Sequence, residues 1–241
     1  MNIQMQVCGL IIISLILYFY KRQETVGLYT EVLFRRAAYI CIVCLILDML
    51  SVIFIMGRSM LPAMLVRGEC KLYLISLVGT GYSALTYACA DAFGLMQVNR
   101  FIQKMGIATV AVSMIIALLP VYIYNEGRTV YTYGPACIAT YIGAVSLIIA
   151  TLLYTAKRAN RMNPRRRRAI RTWMGIWLAA AVIQFFNEGM LLVSFASALG
   201  IVILFFELEN PESNLDRSTG FFNAGAFADY VKYRYSSKNK G

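Results

Sequence analysis

Histidine is absent from the 241 residues, so imidazole metal ligands, histidine general bases and Ser-His or Cys-His nucleophile pairs are excluded. Charge is scarce as well: Asp, Glu, Lys and Arg make up 15% of the chain, against about 25% in soluble domains. Acids are the rarer sign, with 12 Asp and Glu against 23 Lys and Arg, a formal net charge of +11. Of the few prolines only Pro120 falls within an apolar stretch, and no internal repeat is visible. Both points weigh against an inverted-repeat transporter, whose best sequence signature is a pair of broken helices in matching halves. What is plentiful is apolar: 59% of residues are hydrophobic, above the roughly 45–50% of soluble domains. Such a composition cannot belong to a disordered chain. It points to an all-α, polytopic membrane protein with basic loops.

A helix that crosses the hydrocarbon needs about 20 mostly apolar residues. Stretches of that kind lie at 4–20, 37–57, 72–97, 107–124 and 138–156, followed by one long run from 173 to 206. As a single straight helix the last run would measure roughly 51 Å, too long for a core of about 30 Å. A hairpin at Asn187-Glu188-Gly189 divides it into spans at 173–187 and 190–206, which makes seven. The first span has no basic segment before it and Lys21-Arg22 after it, so it reads as an anchor and not as a cleaved signal peptide. Lys and Arg near span ends stay in the cytoplasm. With the N-terminus outside and the C-terminus cytoplasmic, only Arg58, Arg67, Lys71 and Arg128 fall outside, and nineteen of the 23 cations lie inside.

Acids within spans face the bundle interior, because a carboxylate in hydrocarbon costs several kcal/mol. Cys41, Cys44, Asp48 and Ser51 share one face of the second span, and Thr80, Ser83, Tyr87, Asp91 and Gly94 one face of the third. Asp48 lies roughly 16 Å and Asp91 roughly 10 Å from the cytoplasmic edge, close enough in depth to share a pocket. Gln184, Asn187 and Glu188 add a polar cluster near the outer end of the sixth span. Two readings stand open. In one, Asp48, Asp91, Tyr87, Ser51, Gln184, Asn187 and Glu188 line a pocket that senses a small molecule, a cation or a proton between the second, third and sixth spans. In the other, the acids are satisfied by interhelical hydrogen bonds from Tyr39, Tyr82, Tyr87 and Ser51, worth only about 0.6 kcal/mol each.

Cys8, Cys41, Cys44 and Cys89 fall within spans and read as small packing residues. Cys70 and Cys137 precede the third and fifth spans on the outer face, where a disulfide between them and a pair of free thiols are both compatible with the sequence. The run Arg165-Arg166-Arg167-Arg168, with Lys157, Arg158, Arg161 and Arg171 beside it, sits directly between two spans. There it records topology and meets the anionic inner leaflet, at about 1 kcal/mol per cation, and no nucleic-acid partner is expected.

Beyond Phe206, the segment 207–215 is acidic and broken by Pro211, which ends the last helix. Residues 216–241 then open with Asp216-Arg217-Ser218-Thr219-Gly220 and continue as a short amphipathic helix carrying Phe221, Phe222, Ala226, Phe227 and Tyr230. That apolar face has little to pack against and reads as the opening of a truncated domain. The stretch resembles the opening motif of GGDEF domains, D-x-L-T-G-L-x-N-R-x-x-F. Asp216, Thr219, Gly220, Asn223 and Phe227 match it, whereas Ser218, Phe221 and Ala224 stand where the pattern has Leu, Leu and Arg. The resemblance covers about 25 residues at the end of the chain. It implies a sensor of the bacterial plasma membrane whose output domain, a diguanylate cyclase, joins two GTP into cyclic di-GMP with Mg²⁺ across a homodimer. None of that catalytic apparatus lies in these residues: no GGDEF signature is present, and neither metal, cofactor nor catalytic residue is expected in the chain itself. Residues 1–206 are then a sensory region that signals through the seventh span. A small transporter or channel coupled to protons or cations through Asp48 and Asp91 is the alternative from another class.

Overall fold

The computed structural model describes residues 3–22, 29–90, 96–126, 129–160, 162–187, 190–209 and 227. Helices dominate them, as they must where hydrocarbon offers the backbone no partner of its own. In chain order these are α1 (Gln4–Arg22), α2 (Tyr29–Met56), α3 (Ala63–Ala88), α4 (Met96–Leu118), α5 (Pro135–Lys157), α6 (Pro164–Phe186) and α7 (Val193–Leu204). A π-helical turn, Phe205–Glu209, follows α7 directly.

Helices α1, α2, α4, α5 and α6 are long and apolar enough to cross a membrane. Their outward faces agree with lipid as the solvent: Ile107, Val110, Met114 and Leu118 on α4 and Ile138, Ile142, Ile149 and Leu153 on α5 are exposed. In the most apolar stretch of α4 only 11% of residues are buried by the rest of the chain. An apolar surface of that extent is incompatible with water, and this is a membrane protein. Helix α3 is long but carries Arg67, Glu69 and Lys71 near its start, and α7 is a shorter apolar helix.

Several helices begin earlier than the expected spans, α2 at Tyr29, α4 at Met96 and α6 at Pro164, and two of the ends differ as well. The third apolar stretch, read as 72–97, forms helix only to Ala88 and begins nine residues earlier, at Ala63. The fourth, read as 107–124, ends at Leu118. Pro120 offers no amide hydrogen there, and the alternating Tyr-Ile-Tyr and Val-Tyr-Thr-Tyr sequence beyond it prefers strand. It forms an antiparallel hairpin, β1 (Tyr122–Glu126) and β2 (Thr129–Tyr133), with Tyr122 opposite Tyr133 and Tyr124 opposite Tyr131. This small sheet is an addition to an otherwise all-α architecture.

Helices α2 and α3 form the most extensive pair, with α5 on the far side of α3 and α1 and α7 against α2. Both tryptophans of the chain lie on α6 one turn apart and are buried. Trp177 donates to the Val193 carbonyl at 3.1 Å and packs against Gly81 of α3. The indole of Trp173 lies directly over Gly200 of α7, where any side chain would occupy the same space. Helix α6 can therefore lie close to α7 only because position 200 has no Cβ. Replacing Gly200 by Ala is expected to cost about 1–3 kcal/mol of stability through overpacking, read as a lowered thermal midpoint of the detergent-purified chain.

Candidate functional site

Asp48 is fully buried in the middle of α2. Its Oδ2 accepts from Gln6 Nε2 of α1 at 3.0 Å and from the Ser194 hydroxyl of α7. The Tyr73 phenol of α3 also interacts with this carboxyl, although neither Tyr73 Oη nor Asp48 Oδ1 has a direct hydrogen-bond partner among the described residues. Four helices thus converge on one acid. Gln6 Nε2 donates further to the Leu191 carbonyl at 3.3 Å, joining α1 to the turn that leads into α7. Ser51 lies on the same face but donates at 2.8 Å to the Asp48 backbone carbonyl, not to the carboxylate. A turn deeper along that face, the Cys44 thiol lies against the hydroxyls of Ser76 and Thr80 on α3, continuing the polar seam between α2 and α3.

The partners of Asp48 differ from those the sequence suggested. Tyr39 is exposed, and Tyr82 donates at 3.2 Å to the Ile102 carbonyl. Tyr87 is buried beneath the Arg166 guanidinium, 4.7 Å from its ring centroid. Helix spacing identified the inward face of α2 but not which neighbour lies against it. Asp91 and Glu188 lie outside the described residues. Gln184 and Asn187 make hydrogen bonds at helix ends. Gln184 Oε1 accepts from the amides of Leu192 and Val193 at 2.8 and 3.0 Å, satisfying donors left unpaired at the start of α7. Asn187 Nδ2 donates to the Ile183 carbonyl at 3.4 Å at the exposed end of α6.

Cys70 and Cys137 are buried on the adjacent helices α3 and α5, near enough to interact, and are not joined by a disulfide. The Cys137 thiol donates to Thr132 Oγ1 of β2 at 3.7 Å. Among the described residues, no group of three or more Cys, Asp or Glu is arranged to hold a metal ion.

The arginine run does specific work at helix ends. Asn163 caps α6, its side chain accepting from the Arg165 amide at 3.0 Å, and Pro164 occupies the first turn. Arg165 Nε pairs with Glu207 at 3.2 Å and its Nη2 reaches the Phe206 carbonyl at 3.4 Å, tying α6 to the π turn beyond α7. Arg166 is buried and donates at 2.6 Å to the Tyr87 carbonyl in the last turn of α3, where a cation complements the helix dipole. Arg167 reaches the Ala159 carbonyl at 2.8 Å just beyond α5. Beside these contacts Tyr20 of α1, Phe34 of α2 and Phe205 pack their rings 5.1–6.4 Å apart. Of the motif that resembles a GGDEF opening, only Phe227 is described, and it is helical and exposed. Asp216, Thr219, Gly220 and Asn223 lie outside the described residues.

Gln6, Tyr73 and Ser194 are not among the residues that helical spacing singles out. Gln6 carried a signal, being with Gln4 one of two long amides in a span that is otherwise largely apolar before Lys21. Ser194 carried none that distinguishes it from Ser197, which returns its hydroxyl to the Val193 carbonyl. Gln6→Leu deprives the buried carboxylate of a donor and is expected to cost about 1–3 kcal/mol. Tyr39→Phe, on the exposed face, should leave stability unchanged. Thermal unfolding of both variants in detergent checks the pair. Compared with known proteins, the chain matches no family model, no curated protein and no solved structure.

Proposed function

We propose that the chain is the input module of a bacterial signalling protein. In this reading seven helices span the plasma membrane, with the N-terminus outside and the C-terminus in the cytoplasm, and α7 relays the signal to a GGDEF-type output domain. The observation that carries the proposal is the hydrogen bond from Ser194 to Asp48. It fastens the first turn of α7 to the buried acid, while the other end of the same helix leads through the Arg165–Glu207 pair toward the segment that resembles a GGDEF opening. A change in hydration, protonation or occupancy around Asp48 therefore acts on the one helix that faces the output. Pro211 and the shortness of the 207–215 segment disfavour a long coiled-coil relay, so the motion is a piston, a tilt or a change in dimer geometry. Catalysis, with its GTP and Mg²⁺, belongs to the output domain and not to these residues.

The test joins residues 1–215 to an active diguanylate cyclase domain and measures cyclic di-GMP in membranes. Asp48→Asn and Ser194→Val are each expected to shift basal output by at least about threefold, the change that follows from roughly 0.7 kcal/mol of altered bias between two states. A flexible Gly-Ser insertion after Glu209 should abolish the effect of both substitutions. Equal output from the wild-type fusion and both substituted fusions would refute the proposal.

A further inference from the structure

The end of the bundle opposite the arginine run holds a feature independent of Asp48 and of any output domain. There the α2–α3 turn and the root of the β hairpin border a half-open cavity of about 540 Å³, within the range of about 300–1,000 Å³ typical of small-molecule sites. Arg58 and Arg67 both line it, together with Ser59, Val66, Tyr122 and Tyr133. These arginines approach from the two sides of the turn, and neither guanidinium makes a hydrogen bond or ion pair among the described residues, the Arg58 backbone amide donating to the Ile55 carbonyl at 3.3 Å. Glu69, the nearest acid along α3, does not line the cavity. Lys71, the other described cation of this end, is already engaged, donating to the Ala117 carbonyl at the end of α4 at 2.6 Å.

The aromatic wall is held in place. Tyr122 and Tyr133 face each other across the hairpin with centroids 5.5 Å apart. Gly134 follows with φ 110°, and a Cβ there would lie 2.6 Å from the Tyr122 ring. Only glycine combines that backbone with that neighbour. The Ala136 amide donates to the Pro120 carbonyl at 3.3 Å and closes the root of the hairpin.

We infer that this cavity binds an anion carrying an apolar or aromatic body, with Arg58 and Arg67 on its phosphate or carboxylate and Tyr122, Tyr133 and Val66 against the body. Guanidinium forks match the oxygen geometry of both anions, and tyrosine supplies flat apolar area with a polar edge. A soluble organic anion and the headgroup of an anionic lipid share this chemistry.

Two arms separate these sources. In nanodiscs of phosphatidylcholine alone, the full chain is titrated by calorimetry with phenyl phosphate and benzoate, and with benzyl alcohol as the neutral control. In nanodiscs containing phosphatidylglycerol, native mass spectrometry counts the lipids that stay bound. A soluble ligand predicts binding of phenyl phosphate or benzoate but not benzyl alcohol; a lipid site predicts retained phosphatidylglycerol. In either case the Arg58→Gln, Arg67→Gln pair should weaken binding by about tenfold or more, and the Lys pair should keep part of it. Arg67→Gln alone supplies the comparison if the double variant has a lowered thermal midpoint. If the three anions are unbound, or are bound equally by wild type and the glutamine variants, the site does not exist.

Discussion

A carboxylate removed from water has to be given hydrogen-bond donors by the protein around it, and in this bundle the donors for Asp48 come from opposite ends of the sequence. Gln6 stands near the beginning of the first helix and Ser194 at the beginning of the last. Satisfying one acid in α2 therefore closes the helices into a ring, in which α1 and α7 meet each other as well as α2. Around that closure the packing is close: Gly9 lets α1 approach Ala198 and Phe195 of α7 and Leu45 of α2, with a Cβ there meeting them at 3.3–3.4 Å. Small residues at such crossings are how helices associate where lipid supplies no hydrophobic drive.

The cations around the start of α6 have two layers of meaning. In the proposed orientation their number and position follow the positive-inside rule. Their side chains also answer a local need, because the last carbonyls of every helix lack partners within it. Arg166 supplies the end of α3, Arg167 the residues after α5, and Arg165 the turn after α7. Three consecutive residues at the start of one helix thus bind the ends of three others. Burial of Arg166 shows the difference from a lipid-facing polybasic strip, in which all four guanidinium groups would remain in water or among headgroups.

Much of the architecture was legible in the residues. Apolar runs placed the helices, since in a membrane length and hydropathy alone decide whether a segment can span. Helical spacing likewise put Cys41, Cys44, Asp48 and Ser51 on one face, and all four are buried. Boundaries were less legible, because a hydropathy window ignores that charged residues can extend a helix beyond the apolar core, as Arg67, Glu69 and Lys71 do in α3. The hairpin was hidden by the same blindness: tyrosine, isoleucine and valine are apolar enough to be counted with α4, although their alternation is that of a strand. Least legible was the identity of Asp48's partners. Periodicity says which residues face inward from one helix, but which other helix they meet depends on the order of packing, and no local pattern encodes that.

The π turn at Phe205–Glu209 has a geometric consequence of its own. Such a turn arises when one residue more than an α turn would hold is accommodated without breaking the helix. Each residue of an α helix advances its azimuth by about 100°, so the turn sets the angular phase between α7 and whatever is carried beyond Glu209. Loss of a single residue here would restore an α turn and swing the following chain around the axis by about that angle, shifting Glu207 relative to Arg165 as it did so. The exit of the last helix is thus a vernier: its register, and not only its position, defines the direction in which the membrane region presents the rest of the polypeptide.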